Sequence, residues 1–428
     1  MSSHISRPHP VRAPRVLAVL AALCRGTVAM TLLALTSLAH AADWDLSFDS
    51  RLLNSNANRT FMDGGLGTTR FDRGDSGLRL GRARFAFGAP LGELWSVHLD
   101  ASAWDDTYAS PVGVTEAYLQ LRPYPRAGYR LRVKAGAFYP PVSLENRAGG
   151  WESPYTLSFS AIDTWLAAEV RSVGLEAQLD WLGTRLGNAF DLGMTGGVFG
   201  WNDGAGVVIA NDGFMLHDRQ TPVFGRVGRP GAEPLYQAKP FRELDGHAGA
   251  YAGLEARYLD RVVLRVLRYD NRADPTAVDV VSGATAWWTR FNSAGLRVET
   301  ATGWTAIVQW LAGVSTIAPA GPVEAWPFRA EFALLSRRFG RQTLSARYDE
   351  FAVDTNSPPP DFETYGRQRG HAFTAAWRFD ADAHWRLALE WLRVVSHSYN
   401  RADLGGPALA RETQLQLAVR YAFGAPVR

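Results

Sequence analysis

The chain has 428 residues, 46% of them hydrophobic and 12% aromatic, with 41 glycines, a composition that excludes a disordered, highly charged chain. Its formal net charge is +3, but four of the 45 basic residues and none of the acids fall in the first 41 positions. The remaining 387 residues carry 41 basic against 42 acidic side chains, so no basic surplus exists to attract nucleic acid. The single cysteine, Cys24, also lies in that first stretch, which excludes disulfides and cysteine metal sites downstream.

Residues 1–41 have the order of an export signal. Arg7, Arg12, Arg15 and Arg25 form a positive region, Thr27 to Leu38 are apolar, and Ala39-His40-Ala41 fits a small-x-small cleavage pattern. The apolar part is too short for a helical membrane span. The sequence therefore predicts a cleaved signal over 1–41 and a mature unit over 42–428.

No later segment approaches 18 consecutive apolar residues, which argues against helical spans. Strict alternation recurs instead. Trp44, Leu46, Phe48 and Leu52 fall on one face of the first segment, with Asp43, Asp45, Ser47, Asp49 and Arg51 on the other. Around Gly81-Arg82 the apolar face changes phase, the mark of a bulge. Trp95, Val97, Leu99, Ala101 and Ala103 alternate with Ser96, His98, Asp100 and Ser102. Leu131, Val133, Ala135 and Ala137 alternate with Arg130, Arg132, Lys134 and Gly136. Val173 to Trp181 and Leu415 to Phe423 repeat the pattern. A period of two means strands with one apolar and one polar face.

The connections also alternate in length. Short ones lie near Gly88–Glu93, Pro123–Gly128, Gly183–Asn188, Leu259–Asp260, Ala301–Gly303, Phe339–Gln342 and Asp380–His384. Long ones fall between them, the longest being Tyr139–Ala167 and Asn202–Gly246. Trp44, Phe87, Trp95, Trp181, Trp304, Phe379, Trp385 and Phe423 gather at the short-turn ends, as amphipathic rings do at a headgroup boundary. Together these features predict an all-β, transmembrane, antiparallel up-and-down β-barrel of about 16 strands, with short periplasmic turns and long extracellular loops, in the bacterial outer membrane.

In such a barrel the apolar face meets lipid and the polar face encloses a passage. Arg79, Arg82 and Arg84, then Arg122, then Arg130, Arg132 and Lys134 are the candidate pore-lining residues, and their charge would favour anions. They could equally pair with inward Asp45, Asp49, Asp100 and Glu116, stiffening the wall. Segment 139–167, with Glu145, Arg147 and Asp163, is rich in apolar residues for a solvated tip and is the expected constriction loop. Asn202–Gly246 reads as an external loop over the mouth or against a neighbouring subunit. No nucleophile–base or metal-binding motif surrounds the six histidines beyond residue 41, so neither catalysis nor a cofactor or metal is expected.

Val114-Thr115-Glu116-Ala117-Tyr118-Leu119-Gln120, followed by Val133-Lys134-Ala135-Gly136-Ala137-Phe138-Tyr139-Pro140-Pro141-Val142-Ser143-Leu144-Glu145, resembles the early barrel of the phosphate-selective porin O/P family. Ala346 to Phe351, Glu390-Trp391-Leu392 and the closing Val419 to Phe423 look similar to it too. The resemblance implies a 16-stranded barrel, usually trimeric, passing small anions such as phosphate. The chain departs from the family's lysine-rich channels, having only Lys134 and Lys239. A substrate-specific channel for sugars or other organic solutes is the alternative, with an outer-membrane barrel enzyme a remote one. The expected partners are outer-membrane lipid, small anionic or polar solutes, and two further copies in a homotrimer.

Overall fold

The computed structural model of the protein describes residues 42–106, 109–227, 238–319, 321–356, 367–403, 406–424 and 427. The expected signal, residues 1–41, lies outside the described residues. Sixteen strands form one closed ring. They are β1 (Asp43–Ser55), β2 (Gly77–Leu91), β3 (Trp95–Ala103), β4 (Val112–Leu121), β5 (Tyr129–Phe138), β6 (Ser172–Trp181), β7 (Phe190–Gly200) and β8 (Gly249–Tyr258). The ring continues through β9 (Val262–Asp270), β10 (Trp288–Glu299), β11 (Trp304–Ile317), β12 (Glu324–Phe339), β13 (Gln342–Val353), β14 (Gln368–Asp380), β15 (Trp385–Ser398) and β16 (Leu409–Gly424). Each strand is antiparallel to its neighbours, and β1 pairs with β16 to close the ring. Closure satisfies every edge, which a hydrocarbon environment demands.

Burial is inverted relative to a soluble protein. Phe48 and Leu52 are 43% and 56% exposed, whereas Ser47 and Arg51 on the alternate face are each 3% exposed. The polar side chains point in. Trp44, Trp95, Trp304, Trp385 and Phe423 are exposed at the short-turn ends of their strands. Trp385 meets Tyr421 edge-on at 4.5 Å between ring centroids, and Tyr421 meets Phe423 at 4.4 Å. This is the aromatic girdle expected at one interface.

The phase change near Gly81 is a bulge: Asp49 stands opposite Arg82, and the next pair is Ser50 with Leu80. Skipping Gly81 resets the alternation, so Arg79 and Arg82 share the inward side although their numbers differ in parity. A second bulge falls at Thr115, where Asp100 faces Glu116 and Ala101 faces Val114.

Gly136 in β5 holds φ at +137°, and a Cβ there would lie 2.2 Å from the Ala117 carbonyl oxygen and 2.7 Å from Tyr118 Cα. Both neighbours are backbone and cannot swing aside. Gly136→Ala is expected to destabilise the barrel by about 2 kcal/mol or more, read as a lower urea midpoint for unfolding from lipid vesicles.

The hydrophobic core sits inside the ring. Segment 139–171 carries helix α1 (Ala161–Glu169), capped by the Ser160 side chain accepting from Asp163 N–H. Trp165 of α1 packs on inward Phe291 at 5.3 Å and Phe328 at 4.8 Å. The same segment donates to inward wall residues: Leu144 N–H to Gln309 at 3.0 Å, Ala161 N–H to Asp349 at 3.0 Å, Leu157 N–H to Glu390 at 2.6 Å. Its fold is therefore into the lumen, against β11, β13 and β15.

The expectation for Asn202–Gly246 needs correction. Much of its first half is buried, including Val208, Ile209, Phe214, Met215, Leu216, His217 and Arg219. Phe214 lies 6.3 Å from Phe328 and 5.9 Å from Phe351, both inward. An apolar run of this kind gains more from the half-filled lumen than from water. Residues 228–237 of this connection lie outside the described residues. The first long loop enters as well, with Phe61 and Met62 buried and Phe61 stacked on His217 at 5.3 Å.

Candidate functional site: a charged passage along one wall

With α1 and its neighbours filling the side next to β10–β13, the remaining space follows the opposite wall. A space there is lined by Arg51 of β1, Arg82 of β2, Arg378 of β14, Arg386 of β15 and Arg420 of β16. Across from them stand Glu152, Tyr155 and Phe159 of the inward segment. A second space adjoins it, sharing Glu152, Arg386 and Arg420 and adding Asp45, Arg84, Asp380 and His384. Asp380 ends β14 and His384 lies in the short turn that follows, so this part is the periplasmic vestibule.

Alternation places these arginines. Arg378, Arg386 and Arg420 occupy inward positions on three adjacent strands, and ring closure brings Arg51 and Arg82 beside them. Glu152 is the counter-ion of two of them: it accepts from Arg420 at 2.5 Å and pairs with Arg82. Burial opposes its charge, but Arg420 and Arg82 outweigh that and hold the carboxyl well below the usual carboxylate range. Arg378 and Arg386 share Asp380 at 2.9 and 2.8 Å, and Arg378 also donates to the Pro154 carbonyl at 2.7 Å. Lining the inner space are five arginines and three carboxylates, Asp49, Glu152 and Asp218. Its walls are net positive.

The outer end is crossed by a chain of ion pairs. Arg51 donates to Asp218 at 2.5 Å, Arg70 reaches Asp218 at 3.2 Å and Asp106 at 3.4 Å, and Arg219 donates to Asp106 at 2.5 Å. These groups come from β1, two long loops and the segment after β3. They tie the loops together over the passage.

The sequence candidates divide between walls. Arg82 lies in the passage, and Arg84 lines its vestibule while held by Asp100 at 2.5 Å and Asp45 at 2.8 Å. Arg79 stands at the outer mouth, bound to Asp75 at 3.1 Å. Arg122 falls just past the end of β4, exposed in a periplasmic turn. Arg130 and Arg132 line the far wall, both on Asp180 at 2.9 and 3.0 Å, which also binds Arg257 at 3.1 Å. Lys134 pairs with Glu176 at 3.5 Å and lies over the Tyr118 ring.

Of the loop candidates, Arg147 is half-exposed and paired with Glu299. Glu145 and Asp163 are fully buried, so they face packed protein and not solute. Glu145 accepts from Arg347 at 2.7 Å, Ser153 at 3.0 Å and Thr156 at 3.0 Å. Asp163 accepts from Ser143 at 2.8 Å, and burial beside Glu145 pushes its carboxyl well up. Their role is to anchor the segment, and Arg347, which the sequence reading did not single out, is the hub.

Glu169 at the end of α1 joins the two inward segments. It accepts from the backbone N–H groups of Gly206, Val208 and Ile209 at 3.1, 2.7 and 3.1 Å, and from Trp165 Nε1 at 2.7 Å. Helix α2 (Val207–Asn211) starts on this carboxyl. Burial raises its pKa to about 7 despite those donors. An acid with a raised folded-state pKa stabilises the fold fully below its unfolded value and loses that contribution as pH rises through the folded one. Docking of α2 is expected to be tightest below about pH 4.5 and to weaken up to about pH 7, by at most roughly 3 kcal/mol. Hydrogen exchange at residues 206–211, corrected for intrinsic rates, should show faster opening at the higher pH, and Glu169→Gln should flatten the trend.

A closed ring of sixteen antiparallel strands, greasy outside, with inward segments that leave a charged space along one wall, defines a porin-type β-barrel. Solved structures share this fold. *Salmonella typhi* OmpF in complex with daunomycin aligns with a TM-score of 0.53 at 9% identity, covering 89% of this chain and 97% of that one. The outer-membrane channel DcaP of *Acinetobacter baumannii* aligns at 0.50 and 11% identity, covering 89% and 96%. A loop L8 deletion mutant of OmpT, an outer-membrane protein of *Vibrio cholerae*, aligns at 0.50 and 8% identity, covering 90% and 100%. At such identities the likeness speaks for fold alone. No protein-family model matches the chain, and no curated protein matches it in sequence.

Proposed function

We propose that the protein is an outer-membrane porin for passive diffusion of small hydrophilic solutes, biased towards anions such as phosphate. The observation that carries this reading is the surplus of arginine over carboxylate around the inner space beside Glu152. A net-positive wall in a narrow, low-dielectric passage concentrates anions and repels cations. On this reading segment 139–167 is the constriction, residues 1–41 direct export, and the uncharged outward faces of β1–β5 supply contacts for a homotrimer. Purified protein in a planar bilayer tests it: stepwise channels are expected, with an anion-selective reversal potential in a KCl gradient. A cation-selective potential sinks the anion bias, and absence of channels sinks the porin.

A second reading, a channel for organic anions, draws on Tyr155 and Phe159 beside the arginines. An aromatic flank next to guanidinium groups suits a carboxylate with an apolar body. Benzoate blocking KCl current at concentrations where phosphate does not would favour it.

A further inference from the structure

The outward face of the ring is not uniform. On β1–β8 no outward position is charged, whereas on β9–β16 seven are arginine: Arg337 at the periplasmic edge and, further along their strands, Arg268, Arg290, Arg329, Arg369, Arg393 and Arg411. Outward carboxylates on the same arc are three, Asp270, Glu331 and Glu350. The arc is net positive.

All of these arginines but Arg337 lie towards the long-loop ends of their strands. On β15 the outward run is Trp385, Leu387, Leu389, Trp391, then Arg393; on β14 it is Phe379, Trp377, Ala375, Phe373, then His371 and Arg369. On β16 it is Tyr421, Val419, Leu417, Leu415, then Thr413 and Arg411. Eight residues of strand tilted by about 40° climb roughly 20 Å from the periplasmic girdle. The charges therefore begin where the apolar band ends, at the outer leaflet's headgroups. Among the described residues, Arg329, Arg393 and Arg411 are exposed and engage no carboxylate, and the Arg369–Asp354 contact at 3.5 Å is itself exposed.

We propose that this arc binds the phosphate groups of phosphorylated outer-leaflet lipids, with the acyl chains on the apolar positions beneath. Guanidinium forks match phosphate oxygens two at a time, and several at one depth make a surface for many headgroups. A second copy of the chain would present either the same net-positive arc or the uncharged one, and neither supplies the anions. The inference rests on the outer-membrane reading.

The test uses the full chain in detergent, incubated with bisphosphorylated lipid A or its dephosphorylated form and analysed by native mass spectrometry. The bisphosphorylated lipid is expected to be retained about tenfold better. Substituting Arg329, Arg369, Arg393 and Arg411 together by glutamine should abolish that preference, while Arg337→Gln at the periplasmic edge should not. Excess inorganic phosphate should leave the lipid bound; displacement by it would mean a free-anion site and overturn the proposal. Equal retention of the two lipids by the unaltered chain overturns it as well, whether or not the fourfold variant folds. Channels in a planar bilayer alongside equal retention would remove the lipid site and leave the porin standing.

Discussion

Replacing Arg82, Arg386 and Arg420 together by glutamine is expected to abolish anion selectivity. Arg82 and Arg420 pair with Glu152 beside the inner space, Arg386 stands next to them on Asp380, and Arg386 and Arg420 also line the vestibule. Removing them leaves Arg51 and Arg378 against Asp49, Glu152 and Asp218, which inverts the sign of the wall. The anion-to-cation permeability ratio should fall by at least roughly threefold, and the change should be largest at low salt, where screening is weakest. Reversal potentials in a KCl gradient, at two ionic strengths, measure this. Arg130→Gln with Arg132→Gln serves as the comparison, since those side chains sit on the far wall around Asp180. A larger shift from that pair would move the conducting path to β5 and β6.

Arg347→Met is expected to release the inward segment. Arg347 donates to Glu145 at 2.7 Å, Asp349 at 2.8 Å, the Ser158 and Phe159 carbonyls at 2.8 Å each and Thr156 at 2.9 Å. All five partners are buried with it or lie on the segment it holds. Loss of the cation leaves buried Glu145 and Asp349 without their counter-charge, at about 3–5 kcal/mol. The sixteen paired strands do not depend on this contact, so the ring should persist while residues 143–160 detach. Hydrogen exchange should speed up at Ser158 and Ala161 by two orders of magnitude or more, on the order of what 3 kcal/mol implies. Single-channel current should become larger and noisier. Adding Glu145→Gln and Asp349→Asn to the Met variant should restore much of the loss, because buried neutral amides cost far less than buried unpaired charges. Unchanged exchange in the single variant would show that apolar packing of Trp165 and Ile162 holds the segment unaided.

Much of the architecture is legible from one residue to the next. Alternation over Trp44–Arg51 or Leu415–Phe423 states which side is wet, because successive strand side chains point to opposite faces. The Gly81 bulge shows as a phase change for the same reason, and the Thr115 bulge leaves the same mark, with apolar Val112 and Val114 giving way to Ala117, Leu119 and Leu121. The arginines of β2 and β5 drew attention as local clusters. Arg378, Arg386 and Arg420 did not, since each stands alone among apolar neighbours and becomes part of a group only through pairing between strands.

What the sequence by itself determined is therefore periodic: the strands, their apolar face, the rhythm of short and long connections, and the aromatic girdle. Only the tertiary structure decided which charges meet. Arg51 and Arg420 are separated by most of the chain, and closure of β1 on β16 puts them on one wall; Glu145 and Asp163, charged residues of a long connection, end fully buried, Glu145 on Arg347 and Asp163 on Ser143. The physical reason is that strand patterning is set by the nearest residues, while the filling of a lumen depends on which apolar stretches find space to pack, and that is a property of the closed ring as a whole.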